Sequence, residues 1–278
     1  MSTVFISVAL LLYVAAGALC VARARSLVTR FNSWIRWATR IGVVFHLCGI
    51  GVLAWTTGQW PLTGLADALS ALSVLVIINY IALAATRPKL DALGDVLIPL
   101  GAALLATSRF VPDRPVPALS GVANMTDAVF FPLHTVMTFL GLTALFVAFA
   151  LGVAYLTVRR RLKAKKLEGI TSLPALEVLD RIHFRFQLIG FVALTLGIVF
   201  GAFWANIRLG PDWVSDPKIV SSMLIWMWYA LAVQTRLALG WRGRTGVLFS
   251  VLGFIGVVVS LVGVTLLFSG WHGVAGLG

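Results

Sequence analysis

Long runs of apolar residues with almost no charge recur along the chain, and they constrain its fold more than any other feature. Several runs reach about 18 residues or more, the length that an α-helix needs to cross the hydrocarbon core of a bilayer. Of all residues, 60% are apolar and only 12% are charged. Backbone groups inside a bilayer must find partners within the protein, so these runs predict helices. We therefore expect an all-α fold, a polytopic transmembrane helical bundle, and not a soluble domain.

The limits of the apolar runs predict about eight spans. They cover approximately residues 4–21, 41–55, 62–85, 92–108, 131–158, 184–205, 219–239 and 247–269. The first run is too long, and too poor in a cleavage signal, for a removed signal peptide, so we expect a retained helix. Pro99 lies inside the fourth run, where a proline can kink a membrane helix if neighbours satisfy the carbonyl that it frees.

Basic residues predict the orientation, because Lys and Arg concentrate in the short cytoplasmic loops of membrane proteins. Most of the 22 basic residues follow the first, third, fifth and seventh spans. The basic residues on the other side are Arg109, Arg114, Arg208 and Lys218. We therefore expect both termini on the outer, periplasmic side. The net charge of +12 is then a topology signal, and we assign no nucleic-acid partner to it.

The connections are too short to form further domains, which predicts a single membrane domain over residues 1–278. Within it we distinguish the N-terminal spans up to residue 108, an outer loop at 109–130 and a core at 131–278. The core contains a second outer loop at 204–218. The basic run at 159–166 is predicted to lie inside, against the anionic head groups of the bilayer.

Two histidines and two tryptophans are predicted to share the outer face. His134 begins the fifth span, His272 follows the eighth, and Trp204 and Trp213 lie in the loop at 204–218. Two imidazoles beside a platform of tryptophans would suit bis-His ligation of a heme that stacks on the aromatic rings. Taken singly, each histidine could be a tolerated polar residue, and the tryptophans could be an interfacial aromatic belt.

Two further histidines lie toward the predicted inner side. His46 is inside the second span, which favours a buried ligand or a helix contact, because polar residues in a membrane are costly and usually functional. Gln234 is near the inner end of the seventh span. His183 stands beside Arg181 and Arg185, and we interpret it as an inner-interface residue.

Several short motifs now add up to a family resemblance. They are Gly197-Ile-Val-Phe-Gly201-Ala-Phe-Trp204, then Trp213 and Asp216-Pro217-Lys218, with Leu133-His134, Leu179-Asp180-Arg181, Thr235-Arg236 and Trp271-His272. On these residues the chain resembles the integral-membrane cytochrome c assembly proteins of the CcsA, CcmC and HemX type, which handle heme. The segment at 204–218 is similar to their tryptophan-rich segment, which ends in Asp-Pro-Lys.

The resemblance implies a set of heme-binding residues. His134 and His272 would be the axial ligands of a heme presented outside, over Trp204, Trp213 and Asp216. His46 would match a transmembrane histidine that holds heme on its way across, and its usual histidine partner is replaced by Gln234. Arg208 and Lys218 are placed to meet the heme propionates, although both could be plain surface charges. The tryptophan-rich segment is thinned, because Leu209, Val214 and Ser215 replace its common residues.

The implied function is a heme-binding protein of cytochrome c biogenesis. It would move heme b to the outer face of a bacterial inner membrane and present it to apocytochrome c with a membrane partner of a cytochrome c synthase. No self-contained catalytic constellation is visible, so its status as an enzyme stays open. A HemX-like regulator of tetrapyrrole or heme synthesis is the alternative, favoured by Gln234 and the thinned segment. A transporter of another small molecule would call for inverted repeats, which the sequence does not display.

Overall fold

Helices make up all the regular secondary structure in the part of the chain that the computed structural model describes. That part comprises residues 1–26, 32–58, 64–111, 125–165, 174–208, 211–264 and 267. The α-helices are α1 (Ser2–Ser26), α2 (Asn32–Thr57), α3 (Leu65–Thr86), α4 (Gly94–Phe110), α5 (Met125–Lys163), α6 (Leu176–Arg208), α7 (Pro217–Ala238) and α8 (Arg244–Val258). Short 3-10 helices cover Pro88–Leu93 and Pro211–Ser215, and a π-helical turn, Val259–Val264, continues α8.

Seven helical segments in the described ranges are long and apolar enough to cross a membrane. Helix α7 forms where the seventh span was predicted but is not among them. Its composition is less apolar, with Trp226, Trp228 and Tyr229 in its middle and Lys218 and Arg236 near its ends. The prediction of an all-helical integral membrane protein is confirmed. The count of eight spans and the outer location of both termini stay predictions.

The helices extend further than the apolar runs predicted. Helix α2 already begins at Asn32, so Arg36 and Arg40 belong to the helix and not to a loop. Helix α5 likewise continues through the first basic residues of the 159–166 run. Arg and Lys are good helix formers whose apolar stems can follow the bilayer surface while the charged ends reach water. Charged residues therefore mark the limits of the apolar region, whereas the helices extend beyond those limits.

The chain divides into two compact units. The first comprises Met1–Pro115 and Thr157–Ala175, and the second comprises Val116–Leu156 and Leu176–Gly278. The boundary falls inside the continuous helix α5, and the last turns of that helix are grouped with the first unit. The expectation that the whole chain acts as one membrane domain stays a prediction.

The first unit is held by close helix packing and by a polar cluster at one end. Helix α1 packs against α2 and α4, and α3 packs against α4. At Gly42 a Cβ would lie 2.6 Å from the Tyr13 ring, so glycine is needed for this approach of α1 and α2. At the charged end, the Arg23 guanidinium donates to Asp95 at 2.6 Å and to Asp91 at 3.1 Å. This ion pair network ties α1 to the start of α4 and its preceding 3-10 turn.

The second unit combines a close helix pair with cross-helix hydrogen bonds. A Cβ at Gly141 of α5 would lie 2.7 Å from Leu194 of α6, so the two helices approach closely. The Trp226 indole N–H of α7 donates to Thr195 Oγ1 of α6 at 2.9 Å, and the Tyr229 hydroxyl donates to the Ser250 carbonyl of α8 at 3.2 Å. These bonds satisfy polar groups of the helices within the fold, as an apolar bilayer requires.

A shielded ion pair joins three elements at one end of the second unit. Arg236 of α7 donates to both carboxylate oxygens of Asp180 on α6, at 2.9 and 2.8 Å. The backbone N–H of Gly243 donates to the same carboxylate at 3.1 Å, from a residue whose φ of 65° favours glycine. The guanidinium also lies 4.3 Å from the centroid of the Phe184 ring. This cluster fixes the start of α6, the end of α7 and the turn that precedes α8.

Loss of this ion pair should destabilise the protein strongly. Asp180→Ala leaves a mostly buried guanidinium without its carboxylate, which we expect to cost about 3–5 kcal/mol. The control is Arg181→Ala, which breaks the neighbouring Glu177–Arg181 pair, whose side chains are 82% and 62% exposed. That exposed pair should contribute at most about 0.5 kcal/mol. Unfolding of the purified variants in detergent measures both, and equal losses in the two variants would contradict the assignment.

Candidate functional site

His134 has the geometry of a metal-ligating histidine. Its Nδ1 lies 2.7 Å from the carbonyl oxygen of Gly197 on α6. A carbonyl only accepts, so Nδ1 carries the proton and Nε2 carries the lone pair. Metal-ligating histidines characteristically donate their second ring N–H in this way, which fixes both the tautomer and the direction of the ring. The fold thus holds the His134 ring in a defined orientation with Nε2 as its acceptor atom.

Two glycines of α6 allow the His134 ring to lie against the helix backbone. A Cβ at Gly201 would be 2.5 Å from His134 Nδ1, and a Cβ at Gly197 would be 2.7 Å from Thr138 Oγ1. Either distance is too short for an ordinary side chain. The two glycines have the small-x-x-x-small spacing that brings membrane helices together. This spacing is the sequence signal that could have predicted the contact.

Aromatic rings surround the same end of α5 and α6. Phe131, one turn before His134, packs on Trp204 with ring centroids 5.3 Å apart. The neighbouring Phe130 stacks on Phe203 at 5.7 Å. The structure therefore brings Trp204 to the end of the helix pair where His134 lies. These rings offer the flat apolar surfaces on which a porphyrin can stack.

Trp213 and Asp216 are the next predicted binding residues along the chain. Trp213 lies in the 3-10 turn Pro211–Ser215 and is half-buried. Asp216 is buried and caps the start of α7, since its carboxylate accepts from the backbone N–H of Lys218 at 2.8 Å. An N-terminal cap of this kind satisfies a helix donor that has no partner within the helix. Any contact of Asp216 with heme stays a prediction.

Lys218 precedes the predicted span at 219–239 and reaches into the fold. Its ammonium group donates to the carbonyl of Ser260, in the π-helical turn after α8, at 2.6 Å. A contact between Lys218 and a propionate would replace the bond to Ser260, and it stays a prediction.

Some predicted residues lie outside the described part of the structure. These are His272, Leu209 and the side chain of Arg208. The proposed pairing of His134 with His272 therefore rests on the sequence. Gln234 is described, and its side chain is exposed.

His46 is enclosed within the first unit. Its side chain is fully buried, and its Nε2 lies 2.9 Å from Ser70 Oγ on α3. The Tyr13 ring packs beside it with centroids 5.8 Å apart. Neither His46 Nδ1 nor the Tyr13 hydroxyl has a hydrogen-bond partner within the described ranges. Two buried polar atoms without partners are costly in a membrane, which is the behaviour expected of a functional position.

The interpretation of His183 as an interface residue is wrong. The structure places it inside the second unit with 1% exposure, next to the Asp180–Arg236 pair. Neither ring nitrogen has a hydrogen-bond partner among the described residues. The i,i+3 spacing from Asp180 puts His183 on the same face of α6, and that face is turned into the bundle. The basic neighbours Arg181 and Arg185 misled the prediction because they occupy the exposed faces.

The histidines of the described chain do not assemble a multidentate metal site. No group of three or more His, Cys, Asp or Glu side chains that could hold a metal ion is found in the residues covered. A single imidazole with an available Nε2 lone pair, as at His134, is a donor that heme iron accepts. The chemistry of the donor set is therefore compatible with heme.

Comparison with known proteins agrees with these features. The family described as cytochrome c assembly protein matches residues 62–272, which include His134, Trp204, Trp213 and His272. The protein named cytochrome c biogenesis protein CcsA of Synechococcus sp. (strain CC9902) is 28% identical over 244 residues, which cover 78% of this chain and 79% of the relative. The CcsA protein of Prochlorococcus marinus (strain MIT 9215) is 43% identical over 96 residues, 34% of this chain and 31% of the relative. The chain therefore belongs to the cytochrome c assembly protein family.

Proposed function

We propose that this protein binds heme b and presents it at the outer face of the membrane for attachment to apocytochrome c. The observation that carries the proposal is the bond from His134 Nδ1 to the Gly197 carbonyl, which leaves Nε2 as a ligand atom in a fixed ring. The neighbouring Phe131 and Trp204 rings supply an aromatic surface at the same end of the helices. The family match supports the same reading.

The residues of this site have distinct roles in the proposal. His134 holds the iron on one side, and His272 holds it on the other. Trp204 and Trp213 stack on the porphyrin, and Arg208 and Lys218 face its propionates. The protein supplies orientation and an apolar slot, whereas the bond-forming chemistry belongs to the heme vinyl groups and the apocytochrome thiols. This division explains why no nucleophile or acid–base pair of the chain is required.

The inner part of the proposal concerns His46, which holds heme before it reaches the outer site. Its Nε2 is engaged by Ser70, so ligation through that atom replaces one hydrogen bond. The second histidine that the family resemblance implies is replaced by Gln234 here, and an amide is a poor iron ligand. A heme at His46 is therefore five-coordinate or takes its sixth ligand from elsewhere.

The proposed partners are apocytochrome c and a second membrane protein of a cytochrome c synthase, in a bacterial inner membrane. As a subunit of such a complex it would take part in heme attachment, and its own status as an enzyme stays open.

A regulator of heme synthesis is the second candidate function. Gln234 and the thinned segment with Leu209, Val214 and Ser215 favour it, because fewer ligands and rings would weaken presentation of heme. Expression in a bacterium that lacks its own homologue separates the two functions. Restored covalent heme on cytochrome c supports presentation, whereas a change in tetrapyrrole level without covalent heme supports regulation.

Loss of either outer ligand should change the heme that copurifies with the protein. His134→Ala or His272→Ala leaves the iron five-coordinate, so we expect an altered absorption spectrum and a sharp loss of heme. Trp213→Phe keeps an aromatic ring and should reduce retention only modestly, since such aromatic contacts contribute about 0.5–1.5 kcal/mol. Added imidazole should restore a six-coordinate spectrum in the histidine variants. Histidine variants with the heme content and spectrum of the wild type would overturn the proposal.

The inner site makes a separate prediction. His46→Ala should remove a five-coordinate heme signal, and Gln234→His should convert that signal to a low-spin, six-coordinate spectrum. Ser70→Ala is the matched control, because it removes the partner of Nε2 and leaves the imidazole in place; its heme content should not fall. Unchanged heme content in His46→Ala rules out ligation by this residue.

A further inference from the structure

A small polar cavity opens in the first unit, and the described residues that line it include no histidine. Its volume is about 200 Å³. One face of α2, the last turns of α3 and the following 3-10 turn enclose it. The lining residues that matter here are Asn32, Arg36, Arg40, Ile81, Ala84 and Asp91. The cavity therefore has basic and amide groups on one wall and apolar groups on the opposite wall.

The two arginines give the cavity a positive wall. Arg36 and Arg40 are one helical turn apart on α2, and both are exposed. In the part of the chain that is described, neither forms an ion pair with a carboxylate. The Arg40 guanidinium lies 5.9 Å from the centroid of the Trp37 ring, an interaction that leaves its N–H donors available.

The single carboxylate of the lining is already engaged. Asp91 accepts from the Arg23 guanidinium at 3.1 Å and from the Tyr80 hydroxyl at 3.1 Å. The Oδ1 atom of Asn32 also accepts a hydrogen bond from Arg23, at 3.0 Å. This bond uses the amide oxygen, so Asn32 can offer its N–H groups to a ligand. The Arg23 guanidinium, which also pairs with Asp95, therefore engages the Asp91 carboxylate, and the charges of Arg36 and Arg40 outweigh that one acidic group of the lining. The cavity therefore offers positive charge and hydrogen-bond donors, which suit an anionic ligand.

The surroundings place the cavity at the level of the lipid head groups. Trp34 and Trp37, on the turn of α2 that carries Arg36, are 69% and 61% exposed. Exposed tryptophans mark the interface between bilayer and water. Arg87 and Lys89 flank Pro88 at the rim, and both are exposed. A basic cleft at this depth lies among the phosphate groups of the lipids.

The size of the cavity decides between a lipid head group and the heme of the proposed function. Pockets for ligands of drug size measure about 300–1,000 Å³ and bury most of the ligand. A cavity of about 200 Å³ is too small for a porphyrin but can hold a phosphate with part of its glycerol. The apolar wall at Ile81 and Ala84 then faces the start of an acyl chain.

We propose that this cavity binds the phosphate head group of an anionic phospholipid, through Arg36, Arg40 and the Asn32 amide. Arginine suits this role because its planar guanidinium donates two parallel hydrogen bonds to phosphate oxygens. The proposal is independent of heme binding and of the direction in which the chain crosses the membrane.

The test uses the full-length protein in detergent and measures the affinity for fluorescent phosphatidylglycerol and, in parallel, phosphatidylcholine. The wild type should prefer phosphatidylglycerol at least tenfold. The double variant Arg36→Gln/Arg40→Gln should lose that preference. The control Arg242→Gln/Arg244→Gln removes the same charge from exposed residues around the start of α8, outside the cavity, and should stay within twofold of the wild type.

Further measurements distinguish the possible ligands and test whether the variants stay folded. Ala84→Leu narrows the cavity without changing charge and should also weaken binding of phosphatidylglycerol, with an unchanged unfolding midpoint. Equal losses in the two charge variants would show a diffuse basic surface and overturn the proposal. So would absence of lipid preference, displacement of the lipid by millimolar inorganic phosphate, or competition by heme at the concentration that fills the histidine sites.

Discussion

The close contact between α5 and the glycine face of α6 is the constraint on which the candidate site depends. Gly201 leaves room for an imidazole where any side chain would collide with it, and the Gly197 carbonyl receives the N–H of that imidazole. The same contact brings Phe131 onto Trp204. A membrane helix pair gains little from burying apolar surface, because lipid is equally apolar, so packing and polar contacts decide its geometry. Here those contacts also orient the proposed iron ligand.

Several residues of the family motifs make contacts within the fold. Asp180 and Arg236 come from two separate motifs and form one ion pair at one end of the second unit. Asp216, within the tryptophan-rich segment, caps α7. Lys218 reaches the π-helical turn of residues 259–264, and turns of this kind often occur at functional positions. The motifs thus combine a scaffold with a smaller set of residues suited to heme.

The sequence predicted the helical membrane class, because hydropathy determines the apolar spans, whereas a binding site shared by His134 and Trp204 stays a prediction. It could not predict which faces of the helices touch. For that reason the burial of His183, the engagement of Lys218 and the pairing of Asp180 with Arg236 were missed. Apolar runs also underestimate helix length, as α2 shows, since arginines prolong a helix beyond the hydrocarbon region. Side chain tautomers, such as that of His134, depend on the neighbouring helix and are invisible in the chain alone.

The central claim is that α6 orients His134 as an iron ligand, and the heme spectrum of Gly201→Ala tests it most directly. The added methyl group would lie 2.5 Å from His134 Nδ1 and must displace the ring. The matched control is Gly256→Ala, where the nearest atom would be Ile225 Cγ1 at 3.6 Å. We expect Gly201→Ala to keep its fold but lose the six-coordinate spectrum and most of its heme, whereas Gly256→Ala resembles the wild type. A folded Gly201→Ala protein with the wild-type spectrum and heme content would contradict the account.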